Sequence, residues 1–425
     1  MTYSEAMAYI ASLEGRGWRL GLDRMQEFVK RAGLNDSIGG PAGPQYIHVA
    51  GTNGKGSTTA FLQSMLVASG YRTGGFFSPF VVDPRERVQF NGNLIGKQEL
   101  ADVTAKLMPI ADCFSEKDFG EITEFEFKTA LGFEYWKQRN CDWVALEVGL
   151  GGRLDATTVV TPRATVIVSI GLDHMNILGD TLAKIAYEKA GIIKPGVPLI
   201  VGEMPQEAEE VILQIAERNK ALVWRWGREV VWHEGSSSVE TPLTAHKKMM
   251  PGIFGSKQNH NMALAVAAID AAGAFKSEEA LKTGAEKTTL PGRFQQIEYK
   301  GRTVIFDGAH NPDSAAVLKE SLKARFGPGR YVLVTNMLSG HEPKTFYEIL
   351  KDRVSCVHVV PVDFHRATPV HEMVDTLKSL FTHVVGHEST ITGLDSALSD
   401  AGNDDIILVT GTFYLAGELL RQLEY

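Results

Sequence analysis

The chain has 425 residues, of which 44% are hydrophobic and 22% charged, and its formal net charge is −8. That length exceeds one ordinary core and fits two domains, while the composition excludes a disordered chain. The negative balance excludes a general nucleic-acid surface, which needs concentrated positive charge, so any anionic ligand must be met by local groups.

Cys113, Cys141 and Cys356 are odd in number and scattered without C-x-x-C spacing, which suggests neither a disulfide framework nor a zinc site and fits a reducing compartment. Met1–Glu5 has no basic n-region, and no apolar run approaches the ~18 residues that cross a bilayer. The chain is therefore expected in the cytoplasm, with no membrane partner.

Helical periodicity over 4–14 and 23–32, broken at Gly15-Arg16-Gly17 and Leu20-Gly21-Leu22-Asp23-Arg24, predicts a small helical lead-in. The loop Gly39–Pro44 then feeds a strand over Tyr46–Ala50. From it, Gly51-Thr52-Asn53-Gly54-Lys55-Gly56-Ser57-Thr58 leads into the helical run Thr59–Ser69. Such a turn offers backbone N–H groups at a helix N-terminus, where the dipole favours anions, plus a lysine for charge and a hydroxyl for a metal. It reads as a nucleotide phosphate site. The spacing is a variant of the P-loop, because Gly51 stands three residues before Gly54 and Gly56 intervenes between Lys55 and Ser57.

Strands follow at 72–77 and 87–91, flanking the loop Ser78–Glu86, and helices near 97–110 and 123–138. The apolar runs Trp143–Val148, Thr165–Ile170 and Pro198–Val201 alternate with helices over 181–191 and 206–218, the signature of a parallel sheet covered on both faces. Residues 221–256, with Trp224, Trp226 and Trp232, read as a small β excursion, and helices near 258–273 and 277–286 follow. From Gln296 the pattern restarts: strands at 303–306, 331–335, 356–361, 382–386 and 405–410 alternate with helices at 313–325, 345–352, 371–380, 392–400 and 413–422. This second α/β unit has no glycine-rich loop of its own. The predicted division is 1–295 and 296–425.

Glu147 stands at the carboxyl end of an apolar strand, where open α/β sheets bind ligands, and Asp173-His174 follows a neighbouring strand. With the Ser57 hydroxyl they suit a hard cation, although histidine is an unusual magnesium ligand and Asp173 also fits a turn cap. By spacing alone Lys189 is a helix-face lysine near a glycine C-cap, and Ala263–Ala268 is core packing. Arg293 behind Pro291-Gly292, and Asp307-Gly308-Ala309-His310-Asn311-Pro312, fit either a site or ordinary turn chemistry.

Taken together, Gly51–Thr58, Ser78-Pro79 with Glu86-Arg87 and Asn91-Gly92, Thr123–Glu126, Glu147–Thr157, Leu172-Asp173-His174, Glu188–Gly191, Pro291–Gln295, Asp307–Pro312 and Gly411–Glu418 resemble one family over nearly the whole chain. This is the folylpolyglutamate synthase/dihydrofolate synthase group of the Mur-ligase superfamily. The resemblance implies an α/β fold: a P-loop-containing, mostly parallel Mur-ligase-like domain followed by a smaller Rossmann-like C-terminal domain. It also implies an ATP- and Mg2+-dependent ligase that joins L-glutamate to a folate or dihydropteroate carboxylate through an acyl phosphate. A Mur-type ligase acting on another substrate, or a nucleotide-gated binding protein without turnover, is the alternative.

Carried over by motif, the nucleotide would be held by Gly51, Thr52, Asn53, Gly54, Lys55, Gly56, Ser57 and Thr58, with Asn261, Arg293, Asp307 and His310. Ser57, Ser78, Glu147 and His174 look like metal ligands, and Lys189 is a lysine often carbamylated in this family and then also placed at the metal. Lys55, Lys189 and His174 would be catalytic. The pterin side would be met by Leu22, Asp23 and Arg24, by Thr123, Glu124, Phe125 and Glu126, and by Leu154, Asp155 and Ala156. Three positions depart from the family pattern: Phe80 stands in place of histidine, Thr158 in place of asparagine, and Asn336–Glu342 lacks an Asp-Lys-Asp segment. A monomer is expected.

Overall fold

The computed structural model describes residues 1–16, 21–40 and 43–425, so Gly17 and Leu20 of the lead-in and Pro41 and Ala42 of the Gly/Pro loop lie outside the described residues. The chain forms two compact units. The first comprises Met1–Ser78, Arg85–Gly252 and Asn259–Thr288, and the second Pro79–Pro84, Ile253–Gln258 and Thr289–Tyr425.

The first unit is built on eight strands, β1 (Gln45–Ala50), β2 (Thr73–Phe76), β3 (Val88–Phe90), β4 (Asn93–Leu94), β5 (Trp143–Glu147), β6 (Ala164–Ile167), β7 (Leu199–Val201) and β8 (Val223–Arg225). They lie in the order β4-β3-β2-β5-β1-β6-β7-β8. Six strands run parallel, and β3 and β4 form an antiparallel edge. The central strands are apolar throughout because both faces are covered. Tyr46, Val144 and Leu146 pack into a core with Phe127 and Trp136, while Ala50, Ile167 and Leu199 join a second core with Ile185 and Ile212. Register aligns Val49 with Glu147 on one side and Val166 on the other, so the segments after β1, β5 and β6 leave the same edge of the sheet. That edge is where open α/β sheets place ligands.

The region read as one β excursion divides. β8 pairs in parallel with β7, Leu199 opposite Val223, and Trp224 is buried there. Only β9 (Val231–His233), β10 (Ser238–Glu240) and β11 (Ala245–His246) make the separate antiparallel sheet. Ala263–Ala268 is fully buried within helix Gln258–Ala271.

The second unit contains β12 (Gln295–Tyr299), β13 (Arg302–Phe306), β14 (Tyr331–Thr335), β15 (Val354–Val359), β16 (Val384–Gly386) and β17 (Ile406–Thr410), in the order β12-β13-β17-β14-β15-β16. All pairs are parallel except β12 with β13. That antiparallel strand was not predicted. Lys300 and Gly301 both have positive φ, 49° and 76°, which makes the two-residue turn that favours a hairpin. Residues 79–84 dock here because Gly417 has no side chain: a Cβ would stand 1.6 Å from the Val81 carbonyl oxygen. Arg421 also donates to Val82 O at 2.7 Å. Among the described residues no helix is long and apolar enough to cross a membrane.

Candidate active site

The helix after β1 begins at Lys55, four residues before the predicted Thr59 start, and runs to Ala68. Propensity disfavours Gly56, Ser57 and Thr58 in a helix, but all three are buried and tertiary packing overrides the preference. Gly54 is the N-cap, left-handed at φ 84°, and no side chain caps the helix. A Cβ at Gly54 would stand 2.7 Å from Asn261 Oδ1 and 2.8 Å from Val168 Cγ1, so glycine is required both by conformation and by space. The loop is pinned from the next strand end: Asn53 N–H donates to Ser169 Oγ, and Ser169 Oγ donates to Asn53 O, both at 3.0 Å. Thr52 Oγ1 accepts from Gly171 N–H at 3.0 Å and donates to Gly171 O at 3.2 Å.

Two lysines converge on this loop. Lys55 Nζ donates to Gly51 O at 2.9 Å and Thr52 O at 3.1 Å, and Lys189 Nζ donates to the same Gly51 O at 2.9 Å. Lys189 is no surface lysine. It is 5% exposed at the end of helix Leu182–Lys189, and burial, then the charge of Lys55, pushes its ammonium down to about 7 against the opposing pull of Asp173 and Asp155. Its neighbour Glu188 instead pairs with Arg153 at 2.8 Å.

Glu147, the last residue of β5, is buried, and its Oε2 accepts the Ser78 backbone N–H at 3.0 Å. Arg87 donates to Ser78 Oγ at 3.1 Å while lying 5.8 Å and 5.5 Å from the ring centroids of Phe76 and Phe125. His174 is left-handed at φ 50° and its N–H donates to Asp173 Oδ1 at 2.9 Å. Ser57 lies buried in the first helical turn. These features fit a polyanion and a hard cation: a helix start with no side-chain cap, two lysines turned onto loop carbonyls, and a buried carboxylate held at a sheet end by the Ser78 N–H.

The residues expected to meet a pterin form tight networks. Arg24 Nε donates to both oxygens of Glu126 at 2.9 and 2.8 Å, and Thr123 donates to Glu126 Oε2 through its N–H at 2.9 Å and its hydroxyl at 2.8 Å. Thr123 caps helix Glu124–Gln138, so part of this motif is structural. Glu124 pairs with Lys128 along the same helix. Asp155 Oδ2 accepts Leu150 N–H at 2.9 Å, and Oδ1 accepts Thr157 N–H at 3.0 Å. Burial still raises its carboxyl above the ordinary range. A Cβ on Gly149 would meet Phe125 Cζ at 2.4 Å and Asp155 Oδ2 at 3.1 Å, which puts those two motifs side by side. Leu154 is partly exposed and Ala156 buried beside Asp155, whereas Leu22 and Asp23 sit at the start of helix Asp23–Arg31 with Asp23 exposed. Thr158 donates to Gly152 O at 2.6 Å, so this departure from the family pattern fastens the turn.

In the second unit, Asp307 accepts Phe294 N–H and Ala309 N–H, both at 2.9 Å, and burial raises its carboxyl while Arg293 pulls the other way. The Arg293 guanidinium lies 4.1 Å from the Phe413 ring centroid, and His310 Nδ1 is 2.8 Å from Gly308 O with its ring 5.9 Å from Phe413. Arg293, Asp307 and His310 are thus one cluster, and Asn261 belongs with the phosphate loop. Arg87 and Ser169 were missed as site residues. The Glu86-Arg87 motif pointed to Arg87; Ser169 had no signal beyond its place after an apolar strand.

The Mur ligase, glutamate ligase domain model matches residues 292–413. The dihydrofolate synthase/folylpolyglutamate synthase of Bacillus subtilis (strain 168) is 33% identical over 438 residues, covering 99% of each chain. Among solved structures, E. coli FolC in complex with DHPP and ADP superposes with a TM-score of 0.88 at 32% identity, over 100% of this chain and 98% of that one. A bifunctional folylpolyglutamate synthase/dihydrofolate synthase with Mn, AMPPNP and L-glutamate bound gives 0.87 at 28% identity, covering 100% and 98%.

Proposed function

The chain belongs to the folylpolyglutamate synthase/dihydrofolate synthase family, ATP-dependent carboxylate–amine ligases, and from that premise we propose how its residues divide the work. The single observation that carries this reading is the uncapped helix start at Gly54 with Lys55 and Lys189 on one loop carbonyl.

The N–H groups of 54–57 and the Thr58 hydroxyl receive the phosphates, and Lys55 turns from the loop carbonyls to the transferred phosphoryl group, matching charge as it moves. A magnesium ion held by Ser57, Ser78, Glu147 and His174 would neutralise phosphate charge and polarise the transferred group. Asn261 steadies the loop, and Arg293, Asp307 and His310 are the share of nucleotide binding assigned to the glutamate ligase domain. Lys189, buried and with its ammonium destabilised, is disposed to react as a neutral amine with carbon dioxide, and the resulting carbamate would face the metal.

Leu22, Asp23 and Arg24, Thr123–Glu126 and Leu154–Ala156 orient the pterin-bearing acid. Its carboxylate takes the γ-phosphoryl group and ADP leaves. The uncharged amine of L-glutamate then attacks the acyl carbon, the acyl–oxygen bond breaks, and an amide and inorganic phosphate result with release of one proton. The order follows from chemistry: a carboxylate oxygen leaves only after it has been phosphorylated. An ¹⁸O-labelled folate carboxylate should pass label into inorganic phosphate, and its complete absence there would overturn the mechanism. Mass spectrometry of products from dihydropteroate and from tetrahydrofolate, each with ATP and glutamate, assigns one or both acids as substrate. A cytoplasmic monomer completes the proposal.

A further inference from the structure

A second cluster of ligating groups lies in the C-terminal unit, outside every motif above. Cys356 and His358 are two residues apart on β15 and so project from one face of the strand, and Asp400 ends the helix Thr390–Asp400 that packs beside it. Cys356 Sγ is 3.4 Å from His358 Nε2 and 3.9 Å from Asp400 Oδ2, and His358 Nε2 is 3.4 Å from Asp400 Oδ2. The nitrogen–oxygen separation is longer than an ordinary hydrogen bond. It does match the edge between two ligands of one metal. With zinc–sulfur, zinc–nitrogen and zinc–oxygen bonds of about 2.3, 2.05 and 2.0 Å, tetrahedral edges come to about 3.3–3.6 Å. Two of the three edges already have that length. The third closes by a small rotation of Asp400, whose side chain is half exposed.

The surroundings supply what a metal-bound imidazole needs. His358 Nδ1 lies 3.0 Å from His387 Nε2, so His358 can donate from Nδ1 and direct its Nε2 lone pair at the triangle. Burial and the adjacent His387 hold His358 down to about 4, leaving it neutral and able to ligate at physiological pH. Beside the triangle is a cleft of about 340 Å³ lined by His387, Asp395 and Ser396, among others, which leaves room for a fourth ligand.

We infer that Cys356, His358 and Asp400 form a zinc site in the glutamate ligase domain, with His387 as the outer partner of His358 and a water as the fourth ligand. Soft sulfur, imidazole and one carboxylate at tetrahedral spacing select zinc over magnesium, which takes oxygen ligands in octahedral geometry. A Cys-His-Asp nucleophile is the competing use of these groups. Burial and the Asp400 carboxylate push the Cys356 thiol up, which opposes a free thiolate, whereas a bound cation would remove that proton outright. The expectation that three scattered cysteines suggest no zinc site assumed cysteine pairs; this set draws its other ligands from histidine and aspartate.

The test uses the full chain, stripped of metal and titrated with Co2+ in excess Mg2+, which occupies oxygen-rich sites. One equivalent should produce a thiolate-to-cobalt charge-transfer band in the near ultraviolet and the intense visible bands of four-coordinate cobalt, and one equivalent of Zn2+ should erase both. Cys356→Ser should abolish the charge-transfer band and Cys113→Ser should keep it. His387→Ala should keep the band and weaken zinc binding about 10–100-fold, with the metal-free unfolding temperature unchanged. No charge-transfer band at one equivalent, or the same band in Cys356→Ser, overturns the site.

Discussion

Two strand-to-helix turns, one in each unit, begin alike and end differently. After β1 the chain reaches its helix through Gly54, with no side chain on the cap. After β13 it reaches helix Pro312–Phe326 through Asn311, whose side chain accepts Ser314 N–H at 2.9 Å, while Ser314 Oγ accepts the N–H groups of His310 at 3.1 Å and Asn311 at 3.0 Å. Asp307 takes one further N–H of that turn, from Ala309, and ties the turn to the segment before β12 through the N–H of Phe294. One helix start carries no side-chain cap hydrogen bond; the other is capped by its own side chains. The difference shows that a phosphate site depends on withheld caps as much as on glycines. A side chain at position 54 would collide with Asn261 and Val168, and the left-handed backbone there disfavours it as well.

The largest effect should come from the open turn. Lys55→Ala should reduce ligation by about 10³-fold or more, the scale of losing a charged group from a phosphoryl-transfer site, while thermal unfolding stays near wild type. Steady-state ADP release and a melting curve check both halves. Near-normal turnover in a folded variant would put the open turn on the same footing as the closed one.

Next in size are the effects expected at Glu147 and Lys189. Glu147→Gln should cost about 10²-fold in turnover and move the magnesium titration to higher concentrations, since glutamine can still accept the Ser78 N–H but lacks the charge. An unchanged titration curve would remove Glu147 from the metal. Lys189→Ala should lose a similar factor, and added short carboxylic acids should restore part of it if a carbamate is the acting species. Electron density ending at an unmodified ammonium in a bicarbonate-containing crystal, together with no rescue, would favour a lysine paired directly with phosphate.

What was legible in the sequence follows the same division. Strands such as β5, β14 and β17 are continuous apolar runs that only a doubly covered parallel sheet explains. β12 was not, because Gln-Gln-Ile-Glu-Tyr at an edge carries little apolar signal and its hairpin rests on Lys300-Gly301. The phosphate loop was readable because its chemistry is local. Lys189 was not readable from spacing: its contact with Gly51 spans 138 residues and is set by the order of strands, so only the family resemblance singled it out. For the same reason Cys356 and Asp400, separated by 44 residues, showed no common purpose in the chain.

The closed turn should respond to mutation in stability. Asn311→Ala removes the cap and should destabilise the C-terminal unit by about 1 kcal/mol, read as a lowered unfolding midpoint, with a far smaller effect on turnover than Lys55→Ala. A loss of activity as large as that of Lys55→Ala, with no change in stability, would mean that Asn311 serves the reaction and that the contrast between the two turns is false.

A third helix start sets the lower end of the scale. Helix Glu278–Lys287 is capped by Ser277, and Glu278 in its first turn lies 2.7 Å from His246 Nδ1. His246 Nε2 lies 2.9 Å from Asp270 Oδ2, which also accepts the Thr241 hydroxyl at 2.7 Å. Burial pushes the imidazole toward neutrality, but its hydrogen bond and charge contact with Asp270, joined by Glu278, outweigh that and raise it above the ordinary histidine value. A group raised on folding contributes stability that is fully present below its unfolded value, about 6.5, and is lost as pH rises through the folded one. The unfolding temperature of the wild type should therefore fall relative to that of His246→Gln as pH rises above about 6.5, while turnover at neutral pH stays the same in both. Parallel curves would show that the imidazole enters the network uncharged. A change in turnover would show that this closed start, unlike the one at Asn311, is coupled to the open turn.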